Sequence, residues 1–204
     1  SGGAHYEYVY NAKNLFPDEL RYRTQLVDYD QDGKKDLFTY GIGGLKVYRN
    51  IGNSSTGLQW ELYQEIVNTQ YPGLYTNLQV TGSDIPAIVD VDSDGDIDVL
   101  TFHIGGAFVE YHQNQSMDLY GVPDSLIFEL RNECWGKFKE DANTNSISLN
   151  ETSIPCEGSV IPNPEISTED LLKNYEKHAG SSLLALDYNN SGVLDLIIGD
   201  VAYT

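Results

Sequence analysis

Asp28-Tyr-Asp30-Gln-Asp32-Gly33-Lys34-Lys-Asp36 returns as Asp90-Val-Asp92-Ser-Asp94-Gly95-Asp96-Ile-Asp98, and a third, worn copy reads Asp187-Tyr-Asn189-Asn-Ser191-Gly192-Val193-Leu-Asp195. Carboxylates this close repel one another unless a hard cation lies among them. Positions 1, 3 and 5 can turn their oxygens inward, and glycine at position 6 permits a sharp turn. A backbone carbonyl at position 7 and the aspartate at position 9 then complete an oxygen-only shell suited to Ca²⁺. The expected ligands are Asp28, Asp30, Asp32, the Lys34 carbonyl and Asp36 in the first loop. In the second they are Asp90, Asp92, Asp94, the Asp96 carbonyl and Asp98. The third offers Asp187, Asn189, Ser191, the Val193 carbonyl and Asp195, with two carboxylates where the others have four, so weaker binding is expected there.

The flanks decide what kind of loop this is. An EF-hand joins two helices and has a bidentate Glu at position 12; here position 12 is Thr39 in the first copy and Thr101 in the second. Short apolar runs surround each loop: Thr24–Val27 and Leu37–Tyr40, Ile85–Val89 and Val99–Phe102, Leu183–Leu186 and Leu196–Ile198. Runs of this length between turn residues read as strands, so each loop is expected to close a β-hairpin.

Beyond the loops, Leu26–Asn50 and Ile88–His112 align without a gap. Each passes through a glycine turn (Gly41-Ile-Gly43-Gly44 against His103-Ile-Gly105-Gly106) into an alternating strand (Leu45-Lys-Val47-Tyr-Arg against Ala107-Phe-Val109-Glu-Tyr). These segments resemble the FG-GAP or VCBS repeat, the blade unit of integrin-α-type β-propellers, in which the aspartate loop joins the first two strands of a four-stranded blade. The words Cys134-Trp-Gly-Lys-Phe138 and Leu196-Ile-Ile-Gly-Asp200 further resemble large secreted VCBS-repeat proteins exported by type IX secretion systems. The resemblance implies an all-β fold, a segment of a β-propeller with calcium loops in its hairpins, in a secreted or cell-surface protein.

On that reading, residues 1–20 hold a trailing strand of a preceding blade (Tyr6–Tyr10), 21–80 and 81–140 are blades, and 181–204 begin another. Residues 141–180 are an insertion with an exposed loop, Asp141–Pro164, and a short helix opened by the capping box Ser167-Thr-Glu-Asp170. Two blades and parts of others would leave open strand edges, which proteins avoid. The expected partner is therefore the remainder of a longer polypeptide or another propeller fragment. Cys134 and Cys156 are the only cysteines. They are either a disulfide or two buried thiols, and an extracellular setting favours the bridge.

Twelve Lys+Arg against 31 Asp+Glu give a formal charge of −19, which argues against nucleic acid and anionic membrane surfaces as partners. No stretch approaches the apolar length of a membrane span. There is no G-x-S-x-G elbow, no H-E-x-x-H and no phosphate-binding loop, so no catalytic set is expected. His103 and His112 read as packing or surface residues. Trp60, Tyr63, Tyr71 and Tyr75 read as outer-strand packing, or alternatively as a stacking platform for sugar rings. The expected function is a calcium-binding module for adhesion to a glycan or surface protein. The alternative is a carbohydrate-binding or scaffold module of a larger secreted enzyme.

Overall fold

A computed structural model describes residues 8–103, 108–140, 146–150 and 182–199. The regular secondary structure of the described residues is almost entirely β-strand. β1 (Thr24–Val27), β2 (Asp36–Gly41), β3 (Gly44–Asn50) and β4 (Trp60–Gln64) form an antiparallel sheet in that order. The first aspartate loop joins β1 to β2, as the flanking apolar runs require. Gly43, at φ 75°, makes the turn into β3. Next to it, a Cβ on Gly44 would collide with the Leu78 carbonyl, so the backbone of the following segment can approach only because Gly44 lacks one.

The second sheet carries six strands. β5 (Asn68–Tyr71) and β6 (Leu74–Asn77) form a hairpin turned by Pro72-Gly73, with Gly73 at φ 73°. β7 (Ala87–Val89), β8 (Asp98–Phe102), β9 (Val109–Asn114) and β10 (Phe128–Asn132) repeat the arrangement of the first sheet, and β5 pairs parallel to β10 at the outer edge. Residues 68–77, which follow the first sheet in sequence, thus belong to the second. A five-residue helix, α1 (Ser116–Tyr120), fills the connection from β9 to β10; the sequence reading did not anticipate it. β11 (Phe138–Glu140) and β12 (Ile147–Leu149) form a small hairpin, and β13 (Ser182–Leu186) pairs with β14 (Asp195–Gly199) across the third loop.

Side chains on β8 alternate between two cores, as strand geometry dictates. Val99 faces the first sheet, in a cluster with Phe38, Leu45, Val47, Tyr29 and Phe128. Leu100 and Phe102 face the third hairpin, with Ala87, Val109, Leu183 and Ala185. β8 is buried on both faces, which explains why Val99–Phe102 reads as a nearly continuous apolar run. The first strands of successive sheets lie side by side. Gln25 Nε2 donates to the Pro86 carbonyl at 2.8 Å, and the Leu183 amide to the Ile85 carbonyl at 2.8 Å. Consecutive sheets stacked face to face, with their first strands adjacent, form a propeller-type segment. Among the described residues it is not closed into a ring.

Three expectations need amendment. The gapless alignment fails after the glycine turn: Leu37 pairs with Tyr48, but Val99 pairs with His112. The second turn is two residues longer, so Leu45, Val47 and Arg49 correspond to Val109, Tyr111 and Gln113. Of the expected trailing strand Tyr6–Tyr10, residues 8–10 are described and are not strand; a short 3-10 turn follows at Ala12–Leu15. Trp60, Tyr63, Tyr71 and Tyr75 do not form one cluster. Trp60 and Tyr63 lie on β4, where Trp60 stacks on Phe16 and donates to the Leu15 carbonyl, while Tyr71 packs edge-on against His112 in the other sheet. Tyr63 and, more fully, Tyr75 on β6 are exposed. The expected helix from Ser167 and most of the loop Asp141–Pro164 lie outside the described residues.

Candidate metal centre

All three loops are built on one hydrogen-bond plan. The position-1 aspartate accepts from the position-6 glycine amide: Gly33 to Asp28 at 3.1 Å, Gly95 to Asp90 at 3.2 Å and Gly192 to Asp187 at 2.8 Å. Position 3 accepts from the position-5 amide, in Asp32 to Asp30, Asp94 to Asp92 and Ser191 to Asn189. Position 5 accepts from the amide of Lys34, Asp96 or Val193. Position 4 is left-handed in each copy, Gln31 at φ 56°, Ser93 at 65° and Asn190 at 57°, and so is the following glycine. These short-range bonds fold the side chains inward with no help from the rest of the chain.

The position-9 aspartate ties the loop to the sheet. Asp36 accepts from the Tyr29 amide at 3.2 Å and from the Asn50 amide, at the end of β3, at 2.8 Å. Asp98 does the same with Val91 at 2.9 Å and Asn114 at 2.8 Å. Both carboxylates are fully buried. Burial, more than any neighbour, pushes Asp36 up to about 6 and Asp98 up to about 7, and the position-7 Asp96 to about 6.

The loops bring oxygens together. One each from Asp28, Asp30 and Asp36 lie within 4.8 Å of one another, as do those of Asp90, Asp92 and Asp98. This spread fits within twice a Ca²⁺–oxygen distance of roughly 2.3–2.6 Å. Asp28 Oδ1, Asp94 Oδ2 and Asp96 Oδ1 are buried without a hydrogen-bond donor. Leaving such oxygens unpaired is costly, so each cluster is suited to hold a metal ion. Asp32 and Asp94 stand apart from the two triads. Asp32 is drawn to Lys34 Nζ at 2.8 Å, a contact that holds its carboxyl below the usual range, whereas burial raises Asp94. In the third copy Asp187 and Asp195 keep their amide partners but have no third carboxylate.

Several residues at the site escaped the sequence reading. Arg49 Nη2 reaches Asp30 Oδ2 at 2.5 Å. In the second copy Gln113 Nε2 donates to Asp92 Oδ2 at 2.6 Å, and Tyr111 donates to Asp92 at 3.1 Å and Asp98 at 3.3 Å. The α1 amide of Met117 donates to Asp96 at 2.8 Å. Arg49 and Gln113 occupy one place in the repeat, but the two-residue difference in the turn conceals it. The loops are also neighbours, since Gln31 Nε2 donates to the Gly95 carbonyl at 2.5 Å.

Other candidates are placed as follows. His112 is a core residue, held by Thr69 Oγ1 at 3.0 Å and Glu110 Oε2 at 3.1 Å. Cys134 is buried and is not a free thiol; Cys156 lies outside the described residues. Among the described residues no helix is long and apolar enough to cross a membrane.

No curated protein and no solved structure matches this chain. Residues 28–101, from the first aspartate of the first loop to the second strand of the next sheet, match the family model of the FG-GAP-like repeat, and it is to this repeat that the segment is similar.

Proposed function

We propose that the chain is a calcium-binding β-propeller segment of a secreted or cell-surface protein, in which the ions lock hairpins and the propeller presents a surface for adhesion. The observation that carries the metal reading is the pair of carboxylate triads, each set on the same hydrogen-bond plan and anchored on a buried position-9 aspartate, in loops that also hold buried oxygens without donors, on Asp28 in the first and on Asp94 and Asp96 in the second. Oxygen-only ligands at this spread favour a hard cation of calcium's size. The Lys34 and Asp96 carbonyls are the expected position-7 ligands. When bound, the ion supplies charge neutralisation and a cross-link between the first two strands of each sheet. Every loop position then serves the hairpin, which leaves recognition to surfaces elsewhere.

The partner proposed is a glycan or surface protein, bound without chemical change, and the remainder of a longer polypeptide would supply further blades. Calcium dependence is tested by melting the metal-loaded protein with and without excess EGTA. Each ion at a hundredfold excess over its Kd adds about 2.7 kcal/mol if only the folded state binds it. An unchanged melt would sink the metal reading. A glycan array and a hydrolase panel on the calcium-loaded protein test the adhesion reading; turnover abolished by mutating a carboxylate outside the loops would replace it with an enzyme.

A further inference from the structure

The first two loops have the same carboxylates at positions 1, 3, 5 and 9, but their surroundings carry opposite charge. In the first, the Arg49 guanidinium lies on Asp30 at 2.5 Å, and Lys34 Nζ lies on Asp32 at 2.8 Å while also donating to the Asn50 carbonyl at 2.8 Å. In the second, the place of Arg49 is taken by the neutral Gln113 and the place of Lys34 by Asp96. Asp96 is 1% exposed, and its Oδ1 has no donor. The nearby cation Arg131 is engaged elsewhere, with its Nε on Gln113 Oε1 at 2.5 Å and its Nη1 on Glu129 at 3.4 Å. Tyr111, the other donor to Asp92, is uncharged.

We propose that Arg49 and Lys34 act as built-in counter-cations that weaken the first site, so that the second loop fills at lower calcium than the first. This rests on the calcium reading above. For an ion to enter the first loop, Asp30 and Asp32 must release partners that already neutralise them, and the displaced charges remain nearby. A unit charge within about 5 Å of a divalent ion, even in near-aqueous dielectric, changes affinity by roughly an order of magnitude. Salt compresses the difference, because Arg49 is 40% exposed and is screened.

The test titrates calcium into the full chain stripped with EGTA and follows the Gly33 and Gly95 amide resonances, each bonded to the position-1 aspartate of its own loop. Gly95 should saturate at calcium concentrations at least about tenfold lower than Gly33. Arg49→Gln should tighten the Gly33 response about tenfold and leave Gly95 in place, and Gln113→Arg should weaken the Gly95 response. Arg49 is exposed enough that its variant decides the matter even if Gln113→Arg fails to fold. Coincident saturation, or a Gly33 response indifferent to Arg49→Gln, overturns the inference while calcium binding stands. If neither amide responds at millimolar calcium, the calcium reading falls and the inference with it.

Discussion

Asp94→Asn should change the sign of its effect when calcium is added. Asp94 Oδ1 accepts the Asp96 amide at 3.0 Å, and an asparagine oxygen can keep that bond, while Oδ2 has no donor. Burial first, then Asp92, Asp90 and Asp118, disfavour the charge on Asp94 in the metal-free loop. A like charge about 6 Å away costs under 1 kcal/mol in near-aqueous dielectric, so removing this one should stabilise the metal-free protein by about 1 kcal/mol. With calcium, the same change removes the charge that position 5 is expected to turn toward the ion. A hundredfold loss of affinity, about 2.7 kcal/mol, leaves the variant some 2 kcal/mol below the parent. At about 2–4 °C per kcal/mol, differential scanning calorimetry should show a Tm raised by about 2–4 °C in EGTA and lowered by roughly 4–8 °C in saturating calcium. Shifts of the same sign in both buffers would refute the idea that the carboxylates are arranged around a cation.

Asp98→Ala, by contrast, should destabilise with or without calcium, because the buried Asn114 amide and the part-buried Val91 amide lose their acceptor. Urea melts in EGTA should show a loss of about 3 kcal/mol; no loss would mean that Asp98 serves only the metal. Metal-free stability should fall as pH rises from about 5 to 8. Asp36 and Asp96 at about 6 and Asp98 at about 7 lie above their unfolded values, so the folded state holds more protons across that window and loses this advantage as they ionise. The fall should be on the order of 3 kcal/mol and should vanish with calcium; a metal-free melt flat across the window would contradict it. Asp187→Ala should cost less calcium-dependent stability than Asp90→Ala, since the third loop has two carboxylates; calorimetry ranking the third site tightest would reverse that ordering.

The hairpin turns and the gathering of the carboxylates at positions 1, 3 and 9 were legible in the chain itself, whereas the pairing of Asp32 with Lys34 was not. Bonds within the loops run between residues two to seven apart, as from Tyr29 to Asp36 or Gly33 to Asp28, so local turn geometry brings the carboxylates together wherever the loop occurs. The apolar flanks likewise declared the strands on either side of each loop. The tertiary structure alone decided three things. The β5–β6 hairpin joins the second sheet through a parallel pairing of Thr69 with Phe128, and nothing local in its alternating pattern names the edge it will meet. Tyr71 is therefore a partner of His112 and not of Trp60. The third decision is the match of Arg49 with Gln113. Side chains on a strand repeat every two residues, so a turn longer by two leaves each residue on its proper face and the hydrophobic pattern intact. That shift is invisible in the sequence. Only the hydrogen-bonded register reveals that one aspartate loop is neutralised by a guanidinium, whereas its twin meets an uncharged amide in the same place.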